Sequence, residues 1–110
     1  MHSFESLLQE TEKSFEFLRD LGFGQEKRSF VAPESYRGGF QISYSKGGST
    51  LEIDYLEMQF EVRLQSSEIF GPTVHPGFGG NMFSGPHLTE HLPQIAQGVR
   101  NSFKQVHPGA

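Results

Sequence analysis

A chain of 110 residues with 35% apolar side chains and 11 Phe can bury one modest core and is too short for two. It has no Cys, so disulfide frameworks, thiolate nucleophiles and cysteine metal sites are excluded. The net charge of −4 argues against nucleic acid, whose phosphates need a basic surface, and since all 13 acidic residues except Glu90 lie at or before Glu68, it favours a basic protein partner.

Met1, Ser3, Glu5 and Glu10 make neither a basic leader nor an apolar span, so the expected location is cytoplasmic, without membrane contact. Residues 4–21 read as an amphipathic helix: Phe4, Leu7, Leu8, Thr11, Phe15 and Leu18 keep the three-and-four spacing of one buried stripe. Gly22 suits a left-handed helix stop, with Phe23 folding back on the last turn. A first strand is expected at 26–32, ended by Pro33, and a second at 40–46 after Gly38-Gly39. Gly47-Gly48 then provides a tight hairpin turn.

Between Phe40 and Leu64 apolar residues alternate strictly, as Phe40, Ile42, Tyr44, then Leu51, Ile53, Tyr55, then Met58, Phe60, Val62, Leu64. Period two means strands with one face on a core and one in water, here at 50–55 and 58–66. The change of phase between Tyr55 and Met58 requires a tight turn or a bulge if both strands share the buried face. No Gly or Asn marks a turn there, which leaves a bulge or a longer bent strand open.

Residues 66–87 read as a long Gly/Phe loop carrying Phe70, Phe78, Met82 and Phe83. Those apolar groups either cover an open end of the core or form a partner-binding surface. A second helix is expected at 89–106, with Leu88, Leu92, Ile95, Ala96, Val99, Phe103 and Val106 on its stripe and Pro93 in or near its first turn. The fold class is therefore α+β in a single domain, 1–110: helix, four-stranded antiparallel meander, long loop, C-terminal helix, both helices on one face of the sheet.

His87-Leu88-Thr89-Glu90-His91 matches the pattern H-x-x-E-H, in which two His on one helical face bind zinc. No Asp or Glu follows Glu90 to supply a further ligand, and a helix beginning at 89 leaves His87 outside it, so no metal or other cofactor is expected. Gly77-Phe78-Gly79-Gly80 lacks the spacing and the following Lys of a phosphate cradle. No Ser is framed as a nucleophile elbow, so no catalytic residue is assigned. The outward positions of the third and fourth strands carry Glu52, Asp54, Glu57, Gln59, Glu61 and Arg63. They form either a plain solvated face that discourages edge aggregation or an acidic docking surface.

Phe15 to Phe23, Ile42 to Gly48 and Leu51 to Val62 together resemble small bacterial proteins in which a helix ending in Leu-Gly-Phe precedes a Tyr-Ser, Leu-x-Ile-x-Tyr hairpin and a closing helix. These include immunity proteins encoded beside polymorphic or contact-dependent toxins. The resemblance implies a non-catalytic inhibitor and carries no active-site residues with it. Glu52, Asp54, Glu57 and Glu61 would then steer a basic partner, with Phe70, Phe78, Met82 and Phe83 as apolar anchors. The alternative is a small-molecule-binding or enzymatic domain with a pocket between the sheet and the 66–87 loop, using His75, His87 or His91. A homodimeric scaffold is a third reading.

Overall fold

The computed structural model describes residues 4–32, 34, 35, 37–65, 67–70 and 84–106, with backbone alone at 68 and 104–106. Its centre is an antiparallel meander in the spatial order β1 (Gly24–Val31), β2 (Gly39–Lys46), β3 (Ser49–Leu56), β4 (Gln59–Leu64) and β5 (Ser67–Phe70). Helices α1 (Phe4–Ser14), α2 (Phe17–Asp20) and α3 (Gly85–Val106) complete a two-layer α+β arrangement with the helices packed on the sheet.

The register explains why alternation was such a strong signal. Phe40, Tyr55 and Phe60 lie side by side across three strands. Ile42, Ile53, Val62 and Phe70 form the next row, and Tyr44, Leu51 and Leu64 the third. All of these are buried except Leu64, which is partly covered. Leu51, Ile53, Phe60 and Val62 are each 0% exposed. Burying one such side chain contributes about 1.5–3 kcal/mol, far more than any single strand preference, so the inward set dictates the face. Onto it pack Leu7, Leu8, Phe15 and Leu18 from the first helical segment, and Leu88, Leu92, Ile95, Ala96, Val99 and Phe103 from α3. The one buried polar side chain among the described residues, Thr11, donates its hydroxyl to the Leu7 carbonyl at 2.7 Å.

The phase change is met by a two-residue turn, not a bulge. Leu56 pairs with Gln59, and Glu57 and Met58 take φ of 52° and 65°. Two successive left-handed residues match the twist of a hairpin, but without glycine each carries a cost of about 1–2 kcal/mol. The three core rows hold the register against that cost. Gly39 has a different role: a Cβ built there would run into the Tyr55 carbonyl, so the β2–β3 contact demands glycine.

Several expectations are corrected. The helix expected at 4–21 divides into α1 and α2 with a turn at 15–16, although its stripe stays on one face. Its stop is as expected: Gly22 has φ 95°, its N–H donates to the Arg19 carbonyl at 3.0 Å, and the Phe23 N–H donates to Leu18 at 2.9 Å. That pair of bonds is the Schellman arrangement. A fifth strand occupies the start of the expected loop, because Phe70 gains the core by pairing beside Val62 across an irregularity at Val62/Arg63.

At the far end of the loop, α3 begins at Gly85 rather than 89, which puts Pro93 in its third turn. An interior proline costs about 3 kcal/mol. Leu88, Leu92, Ile95 and Val99 are buried on the opposite side and together outweigh it, while Pro93 itself is exposed, where water can serve the orphaned carbonyl.

Candidate functional site

Alternation that buries one face of the sheet leaves the other to polar side chains. Two rows cross it. Ser29, Gln41, Asp54 and Glu61 form one, and Lys27, Ser43, Glu52 and Arg63 the next. Among the described residues no helix covers this face. Asp54 stands directly opposite Glu61 and two residues along its own strand from Glu52.

Partial burial raises the Asp54 pKa above the ordinary carboxylate value, and the Glu52 charge pushes it further. A hydrogen bond from Gln41 and the Arg63 charge act against that rise, and Glu61 adds to it. Arg63 is engaged elsewhere: its Nη2 lies 2.7 Å from Glu61 Oε2. Glu52 and Asp54 border a shallow depression of about 170 Å³, shared with Lys27, Ser29, Gln41 and Ser43. A carboxylate pair beside a depression accepts a cationic side chain well, since a guanidinium or ammonium would supply the hydrogen bonds and charge that the crowding lacks.

The structure thus brings Glu52, Asp54 and Glu61 together and leaves Glu57 apart, in the β3–β4 turn beyond the paired rows. It also adds residues that sequence reasoning did not name. Gln41 comes beside Asp54 and Lys27 into the same depression only because β1 and β2 pair in this register. The outward position of Gln41 follows from the alternation of β2, whereas β1 is exposed along nearly its whole length and gives Lys27 no such pattern.

Of the apolar residues expected to anchor a partner, Phe70 is corrected. It is 1% exposed and packs its ring 6.0 Å from that of Phe60, so it belongs to the core. Phe78, Met82 and Phe83, with His75, lie outside the described residues. A second groove, of about 470 Å³, lies between α1 and α3 and is lined by Glu10, Lys13, Phe17, Pro93, Ala96 and Arg100. Arg100 lies over its Phe17 ring at 5.8 Å.

Beyond the covered area, β1 reaches α1 through one acidic side chain. Gln25 Nε2 donates to Glu12 Oε2 at 2.6 Å, and Arg28 Nε lies 3.6 Å from the same oxygen. Phe30 and Val31 remain about two-fifths exposed, at 41% and 39%. No helix of the described residues is long and apolar enough to cross a membrane. Comparison of the chain with protein-family models, with curated proteins and with solved structures gives no match in any of the three.

Proposed function

We propose that this chain is a non-catalytic protein-binding module that receives a basic partner on its open sheet face, most concretely as an immunity-type inhibitor of a toxin or enzyme. One observation carries the reading: Asp54 is half-buried between Glu52 and Glu61 on a face that no described element covers. Like charges opposed across strands destabilise a fold, so a sheet gains nothing by gathering them. A cationic side chain of a partner, entering the depression between Glu52 and Asp54, would remove that penalty and be held by both carboxylates. The remaining charges act at longer range, on encounter.

The test is association kinetics against the product of a neighbouring toxin-like reading frame at two salt concentrations. Charge reversal at Glu52 and Asp54 should slow association by about tenfold or more at low salt and flatten its salt dependence. The folded state should survive, since neither side chain reaches the core. Unchanged rates in these variants would remove the sheet face from consideration.

A further inference from the structure

The start of α3 carries a second constellation, on the helical layer and independent of the acidic sheet face. We propose that His87, Glu90 and His91 form a binding site for a divalent transition-metal ion of the zinc class. One ligand atom from each of the three lies within 4.8 Å of the other two. This proximity follows from the helix, because positions i, i+3 and i+4 share one face.

Two findings bear on the expectation that no metal is required. The helix begins at Gly85, so His87 lies inside it and not before it. No carboxylate follows downstream, but Glu90, on the same helical face, can stand as the third ligand.

The protonation pattern also fits. His91 Nδ1 lies 2.9 Å from the His87 carbonyl oxygen. A carbonyl only accepts, so in this bond the proton sits on Nδ1, and Nε2 is the nitrogen a metal would take. Metal-binding imidazoles usually have their other nitrogen tied to a carbonyl or carboxylate in this way. The two rings are 4.6 Å apart between centroids, with planes at 89°. Zinc takes nitrogen at about 2.0–2.1 Å, which sets two ligand nitrogens roughly 3.3 Å apart. Ligand atoms within 4.8 Å of one another must therefore draw together on binding, and both His87 and Glu90 are exposed.

Two imidazoles and a carboxylate select zinc, nickel or copper over magnesium or calcium, which prefer all-oxygen cages. The positive end of the α3 dipole opposes a cation at His87, in the first turn, but the effect fades by the second turn, where His91 and the offsetting charge of Glu90 lie. Three protein ligands leave at least one position for water or for a side chain of another molecule.

The experiment uses the full chain, stripped with chelator and titrated with zinc chloride in a calorimeter, with thermal unfolding measured in parallel. One zinc per chain is expected, with a rise in unfolding midpoint. At a hundredfold excess over Kd the folding equilibrium should gain about a hundredfold. Magnesium chloride should produce neither effect. His87→Ala and His91→Ala should each weaken zinc binding by at least the roughly 10–100-fold that loss of a supporting group costs. Glu90→Gln should weaken it by less, and all three metal-free variants should unfold near the parent midpoint.

In the unsubstituted chain, zinc should shift the ring resonances of His87 and His91 before those of His2, His75 or His107, a readout that does not depend on any variant folding. Zinc binding below one per chain at saturation would overturn the proposal. So would unchanged affinity in the His87→Ala/His91→Ala double variant, or first shifts at other histidines.

Discussion

Asp54→Asn should make this protein more stable at neutral pH. The substitution keeps the shape and an acceptor for the Gln41 hydrogen bond but removes the charge facing Glu61 and Glu52. Burial of the charge and the neighbouring Glu52 carboxylate weigh most against it and the opposed Glu61 less, and a like-charge contact on a sheet costs about 0.2–1 kcal/mol. Loss of the attraction to Arg63 returns part of this, but Arg63 is already held by Glu61. A net gain of roughly 0.5 kcal/mol follows, which for a domain of this size raises the unfolding midpoint by about 2–4 °C.

The pH dependence has a definite sign. Asp54 has a raised pKa in the folded state, so its protonated form is favoured there, and the parent protein loses that stability as pH rises through the folded pKa. The gain from Asp54→Asn should therefore be full at pH 7 and vanish as the solution is brought below the ordinary carboxylate range, near 3.8. Urea unfolding of both proteins at pH 7 and at acid pH measures it, and half-molar salt should shrink the neutral-pH difference by screening. Equal stability at pH 7, or a gain that persists undiminished in acid, would refute the crowding argument. Under the proposed function the same substitution should slow association with the partner, so stability and binding move in opposite directions.

Phe70→Ala should lower stability by about 3–5 kcal/mol, a cavity effect visible in urea unfolding, because the side chain is core and not a partner contact. Replacing the β3–β4 turn by Asn-Gly through Glu57→Asn and Met58→Gly should stabilise by about 1–2 kcal/mol without altering the fold; a loss would mean that one of the two side chains has a role the turn geometry does not show. Burial, aided by the nearby Glu12 charge and opposed by Arg19, pushes the Tyr44 pKa from 10.0 up to about 12. The parent should thus lose up to about 3 kcal/mol between those values as its unfolded chain ionises, less whatever solvent screens, while Tyr44→Phe should stay flatter in an alkaline unfolding series.

What could be determined from the sequence by itself is local and periodic. The buried stripes at Leu7, Leu8, Thr11, Phe15 and Leu18, and at Leu88, Leu92, Ile95 and Val99, follow from the 3.6-residue repeat. The inward set from Phe40 to Val62 follows from the two-residue repeat, and the outward position of Glu52, Asp54 and Glu61 is its complement.

Tertiary structure decided whatever depended on neighbours in space. Four residues, Ser67–Phe70, are too short to show a period, and they become a strand only because β4 offers an edge and the core has room for Phe70. Local preference would have placed Pro93 at a helix start, yet buried side chains on both sides of it extend α3 through that position. That extension put His87 one turn before His91, with Glu90 beside them. The length of the turn at Glu57-Met58 set Asp54 against Glu61 and Glu52 against Arg63. A slip of one residue there would send every one of those charges into the core, and the buried rows of Phe, Ile and Leu forbid it, so packing on the hidden face chose the charge pairs on the open one.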